Sequence, residues 1–85
     1  MPQKPPQCWT LYLLECSSGA YYTGITTDFM RRWNEHLAGV GAKYTRSNPP
    51  VALVGMLMFD DRAAASRAEA QVKKLAREMK PAYFR

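Results

Sequence analysis

Eighty-five residues, 47% of them hydrophobic and 12% aromatic, set the bounds: a chain this short buries only about 60% of the surface its unfolded form exposes, which excludes a second core. The apolar fraction excludes a wholly disordered chain, because there is enough apolar area to offset chain entropy. Twelve Lys and Arg against seven Asp and Glu leave a net charge of +5, which admits nucleic acid as a partner without requiring it.

Residues 1–7, MPQKPPQ, are rich in proline and read as a disordered leader ahead of one domain over 8–85. They hold no apolar core of a secretion signal, and no stretch reaches the ~18 uninterrupted apolar residues of a membrane span, so the expectation is a cytoplasmic protein with no membrane association. Trp9 to Cys16, WTLYLLEC, is aromatic and aliphatic and too short for an independent helix, hence a strand. Ser17-Ser18-Gly19 punctuates it, and Ala20 to Ile25, AYYTGI, supplies the second strand of a tight hairpin. Cys8 and Cys16 on one strand stand roughly 26 Å apart, beyond the about 7 Å a disulfide tolerates. With a single histidine in the chain there is no zinc constellation.

Thr26-Thr27-Asp28 offers side-chain oxygens to cap a helix, and Phe29, Trp33 and Leu37 recur at helical spacing, which predicts a helix from Asp28 to Ala38. Gly39 and Gly41 terminate it, and Ala42 to Pro50 reads as a polar loop carrying Lys43, Tyr44 and Arg46. The run VALVGMLMF, Val51 to Phe59, lacks alternation and reads as a strand covered on both faces or at a partner contact, so a homodimer is among the expectations. Asp60-Asp61 opens a long helix to Glu78 with Ala65, Ala68, Val72, Leu75, Ala76 and Met79 on one face, ended by Pro81. The order β-β-α-β-α implies an α+β fold, a small, mainly antiparallel three-stranded sheet flanked by helices.

On a helical wheel the apolar Phe29, Met30, Trp33 and Leu37 form one arc, with Arg32 and His36 together beside it and Arg31 toward solvent. Glu69 is the acid of the second helix nearest its apolar stripe, whereas Glu78, Arg67 and Lys74 lie well outside. A carboxylate at such a boundary needs a partner or a cation. Tyr12 shares the parity of Thr10 and Leu14; Tyr21 and Tyr22 point to opposite faces, so one of them joins Tyr12. Singly, each has an ordinary reading as surface cation, salt-bridge partner or cross-strand packing. Together they make up the set for metal-assisted phosphodiester cleavage: a proton acceptor near the attacking water, a guanidinium for the phosphate and a carboxylate for a divalent cation. Lys43, Arg46, Lys73, Lys74 and Arg77 are candidate phosphate contacts, with Tyr44 available to stack on an unpaired base.

These residues resemble the GIY-YIG nuclease superfamily over Trp9 to Leu75, with Thr10-Leu11-Tyr12 at the first motif and Tyr22-Thr23-Gly24 at the second. The stretches G-I-T-T-D-F-x-R-R-W-x-E-H-L, G-A-K-Y-T-R and P-V-A-L-V are similar to its small stand-alone bacterial branch, the YhbQ-like proteins. The resemblance implies a three-stranded antiparallel sheet with helices and a catalytic set of Tyr12, Tyr22, Arg32, His36 and Glu69. Glu69 would bind the Mg²⁺ or Mn²⁺, the substrate would be DNA with RNA left open, and the setting would be DNA repair. Some members carry a lysine where this chain has Ile25. The alternative from another class is a non-catalytic nucleic-acid-binding module of the same fold.

Overall fold

The computed structural model describes residues 8–85, so the leader expected over 1–7 lies outside the described residues. Strands β1 (Trp9–Cys16) and β2 (Tyr21–Thr26) form the hairpin, antiparallel, with Leu14 opposite Tyr22 and Tyr12 opposite Gly24. The turn closes with the Gly19 N–H donating to the Cys16 carbonyl at 2.8 Å. Gly19 sits at φ +86°, a left-handed conformation that glycine adopts without the clash a Cβ would bring. Both cysteines are free thiols, Cys8 exposed and Cys16 buried, and burial pushes the Cys16 thiol further up from its usual pKa.

Strand β3 (Pro50–Phe59) pairs antiparallel with the other side of β1, giving the order β2-β1-β3. The middle strand is covered on both faces, so Leu11, Tyr12, Leu13 and Leu14 are all buried, and its apolar run needs no alternation. Below the sheet, Leu11 and Leu13 meet Ala68 and Val72 of α3 (Arg62–Lys74), bordered by Tyr21, Ile25, Val54 and Phe59. Above it, Tyr12 and Tyr22 meet α1 (Phe29–Leu37) through Phe29 and His36. The α1 N-cap is Asp28, whose carboxylate accepts the Arg31 N–H at 3.1 Å, as the Thr-Thr-Asp sequence suggested.

Four expectations are corrected. The loop Ala42 to Pro50 contains a short helix, α2 (Lys43–Ser47); five residues between glycines and prolines are too few to show a period. Of the two readings for β3, cover on both faces is the one corrected: it is an edge strand with Val51, Leu53, Met56 and Met58 exposed, and the alternation is hidden because both faces are apolar. A register shift between Leu13 and Leu14, opposite Gly55 and Leu53, interrupts it further. On α1, Met30 and Leu37 are exposed rather than part of a buried stripe.

The fourth correction concerns α3, which stops at Lys74 instead of Glu78, with Leu75 extended. The Lys80 ammonium donates to the Val72 carbonyl at 2.8 Å and satisfies the helix end. Beyond it the chain turns through two 3-10 segments, Arg77–Met79 and Pro81–Phe84, so that Tyr83 and Phe84 return to the core beneath β3. A Cβ on Gly55 would lie 2.5 Å from that of Phe84. Gly55→Ala is therefore expected to destabilise the fold by about 1–3 kcal/mol through overpacking, read as a lowered denaturation midpoint at unchanged slope.

Candidate active site

The site forms where the elements above and below the sheet meet at the free edge of β2. Tyr12 projects across Gly24, whose Cβ, were there one, would stand 2.5 Å from the Tyr12 hydroxyl. The glycine of the second motif is thus required by the tyrosine of the first. The register of the hairpin puts Tyr22 on the same face, ring centroid 6.4 Å from that of Tyr12, and sends Tyr21 to the core below. His36, buried, approaches both: its ring lies 5.3 Å from that of Tyr22, and its Nε2 is 3.2 Å from the Tyr12 hydroxyl. Its Nδ1 is 2.7 Å from the Thr45 hydroxyl of α2, which in turn donates to the Ala42 carbonyl at 2.9 Å.

Burial pushes the Tyr12 phenol up to about 12; the Arg32 guanidinium opposes this, while Tyr22 and Glu69 add to it. Burial likewise lowers His36 from 6.5, with Arg32 acting in the same direction and Glu35 against it. The pair is therefore a protonated phenol beside a neutral imidazole near pH 7. Arg32, one turn before His36, is paired with Glu35 at 3.1 Å and keeps about a third of its side chain exposed. Burial works against its charge, but Glu35 and the two tyrosines hold the guanidinium protonated.

Glu69 comes up from α3 on the opposite side and lies close enough to Tyr12 to oppose its ionisation. Its carboxylate is half-buried and 3.7 Å from the exposed Lys73 ammonium. Among the described residues, no three His, Cys, Asp or Glu side chains converge on a metal position. One carboxylate open to solvent suits Mg²⁺ or Mn²⁺ holding several waters, and it does not suit a structural zinc.

Beside the tyrosines opens a cavity of about 300 Å³ lined by Tyr21, Tyr22, Thr23, Tyr44, Lys73 and Lys80. Tyr44 stacks on Tyr22 at 6.2 Å with 14° between the rings. Of the candidate residues, Tyr12, Tyr22, Arg32 and His36 are brought together, Glu69 stands within their electrostatic reach, and Tyr44 and Lys73 border the cavity. Lys43, Arg46 and Lys74 are exposed and outside that lining. Arg77 is engaged elsewhere: its guanidinium donates to the Gly19 carbonyl and lies 4.9 Å over the Tyr21 ring, clamping the hairpin turn. Thr45 and Lys80 are residues to which sequence reasoning gave no role; Thr45 lies inside the G-A-K-Y-T-R stretch, and no local pattern marks Lys80.

The GIY-YIG catalytic domain model matches residues 8–82. The chain belongs to the GIY-YIG family, a nuclease-type domain. Its relatives within that family are small proteins designated UPF0213. One from Cupriavidus necator is 52% identical over 75 residues, covering 88% of this chain and 82% of its own. Another, from Xanthomonas axonopodis, is 53% identical and covers 89% and 74%. The solution structure of a protein from E. faecalis superposes with a TM-score of 0.64 at 40% identity, over 98% of this chain and 86% of that one. Among the described residues, no helix is long and apolar enough to cross a membrane.

Proposed function

We propose that this protein is a metal-dependent endonuclease that hydrolyses DNA phosphodiester bonds, structure-selective in its choice of substrate and linked to repair. The observation that carries the reading is the contact of the Tyr12 hydroxyl with His36 Nε2 at 3.2 Å, with the Arg32 guanidinium and the Glu69 carboxylate near enough to act on Tyr12. A phosphate placed against Arg32 gains its charge and its planar donor fork, strongest on the transition-state oxygens. The Tyr12 hydroxyl orients the attacking water. A phenol with a pKa of about 12 already carries its own proton at neutral pH, so it can take the water's proton only by passing its own to His36 Nε2. Glu69 would hold Mg²⁺ or Mn²⁺, which supplies Lewis-acid stabilisation of the phosphoryl charge.

Lys73 and Lys80 give the cavity a positive wall, and Tyr44 with Tyr22 gives it an aromatic one, a combination that suits the nucleotide flanking the scissile phosphate. Lys43, Arg46 and Lys74 extend the basic surface available to the backbone. The test is cleavage of labelled single-stranded, duplex and branched DNA, and of the matching RNA, in Mg²⁺ or Mn²⁺ and in EDTA. Product in metal and none in EDTA, ranked by substrate shape, is the expected result. Salt-dependent binding with no product in any arm would reassign the chain to a non-catalytic binding module.

A further inference from the structure

Thr45 is fully buried on a helix that lines no core of its own, and its hydroxyl meets the one histidine of the chain. The protons of this network can be placed by elimination. Among the described residues the Tyr12 hydroxyl makes its side-chain hydrogen bond with His36 Nε2, 3.2 Å away, and the Arg32 guanidinium is near enough to act on it. A guanidinium only donates, so the phenolic proton has His36 Nε2 as its acceptor. Nε2 must then be bare, and the imidazole proton sits on Nδ1. That N–H points at Thr45 Oγ1, 2.7 Å away, which is free to accept because the Thr45 hydroxyl sends its own proton to the Ala42 carbonyl at 2.9 Å. In the reverse arrangement, with Thr45 donating to Nδ1, the Ala42 carbonyl would lose the hydroxyl proton and the buried Tyr12 hydroxyl would lose His36 as the acceptor of its own.

Gly41 completes the cradle. A Cβ there would lie 2.6 Å from His36 Nδ1 and 3.2 Å from His36 Cα, so the chain leading into α2 passes against the ring with no room for a side chain. The segment from Gly41 to Thr45 thus encloses the Nδ1 edge, and Tyr12 and Tyr22 enclose the opposite side.

We propose that Thr45 is a positioning residue that fixes the His36 tautomer: its Oγ1 accepts the Nδ1–H, so that the basic Nε2 faces Tyr12. Its role in catalysis rests on the nuclease reading above; its role in setting the tautomer does not. The tautomer is set by the hydrogen bond made by the nitrogen that does not react, and removing that bond frees the ring to rotate or exchange its proton. Valine at this position keeps the shape and loses the acceptor; serine keeps the acceptor.

The experiment is nuclear magnetic resonance of ¹⁵N-labelled wild type, Thr45→Val and Thr45→Ser, reading the imidazole nitrogens by long-range ¹H–¹⁵N correlation, with single-turnover cleavage on the same samples. A single histidine makes the assignment unambiguous. The expected result is an Nδ1–H imidazole in wild type and Thr45→Ser, and a mixture or the Nε2–H form in Thr45→Val with sheet amide resonances in place. Cleavage should fall about 10- to 100-fold in Thr45→Val, less than the ~10²–10⁴ that a general base itself contributes because the base is misdirected and not removed, and recover in Thr45→Ser. An Nε2–H imidazole in wild type overturns the proposal even if no variant can be folded. So does a Thr45→Val protein that keeps the wild-type tautomer, or a Thr45→Ser protein that loses it. Absence of cleavage from wild type with the tautomer as described would count against the nuclease reading and leave the tautomer assignment standing.

Discussion

Glu69→Gln is expected to lower metal-dependent cleavage by about 10³-fold or more while leaving the fold intact. The first half follows from the Glu69 carboxylate acting on Tyr12, while Glu35 is taken up by Arg32: a Lewis acid contributes several kcal/mol of charge stabilisation, and each ~1.4 kcal/mol is a tenfold change in rate. The second half follows from its surroundings. The partner Glu69 has is Lys73, 3.7 Å away and more than half exposed, and such pairs are worth about 0–1 kcal/mol. Glutamine fills the same space, so the thermal midpoint should move by no more than a few degrees. Metal titration of the variant, followed by the rate, should show saturation displaced to higher concentration. A large loss of stability, or unaltered cleavage at limiting metal, would remove Glu69 from the metal role.

Tyr12→Phe and His36→Ala should each reduce cleavage by about 10²–10⁴, and the double variant should be little worse than either one. Groups that pass one proton act as a unit, and their deletions are not additive. The Tyr12–His36 contact at 3.2 Å is the structural basis for this expectation, and full additivity in the cycle would separate the two roles. The same pair sets the pH dependence. His36 must be neutral to accept a proton, and burial and Arg32 hold its pKa below 6.5. Activity should therefore persist through neutral pH and be lost on the acid side below 6.5, and this acid limb should vanish in His36→Ala.

Linkage gives the stability the same direction. Unfolding raises the His36 pKa toward 6.5, so the unfolded chain binds more protons between that value and the lower folded one. The contribution of neutral His36 is whole above pH 6.5 and is lost as pH falls through the folded pKa. Denaturant midpoints measured across that window should decline on acidification in wild type and less so in His36→Gln.

Much of the fold is legible in the sequence where side-chain period and capping act locally. WTLYLLEC reads as a strand and is one; Gly19 marks the turn; Asp28 caps α1 within a residue of the expected start. Parity alone placed Tyr12 with one of two adjacent tyrosines, and the register chose Tyr22. The wheel likewise placed Arg32 and His36 on one face of α1. What was not legible depends on distant partners. Nothing in K-K-L-A-R announces a helix end at Lys74; the stop follows from Lys80 returning to the Val72 carbonyl and from Tyr83 and Phe84 packing beneath β3. The uniformly apolar β3 conceals which face is buried, because hydropathy cannot distinguish Met56 in solvent from Leu57 against the sheet's inner side. Thr45 was invisible for a related reason: a threonine in a polar five-residue segment gives no sign that it points inward until His36 is seen to meet it.

The measurement closest to the central claim is single-turnover cleavage of labelled DNA in Mg²⁺ or Mn²⁺ by wild type, Arg32→Ala and Glu69→Ala side by side. The account predicts fast product formation by wild type, with Arg32→Ala slower by about 10²–10³-fold, the scale of losing a preorganised charge at the transition state, and Glu69→Ala slower still. Product formed equally by all three proteins would contradict it.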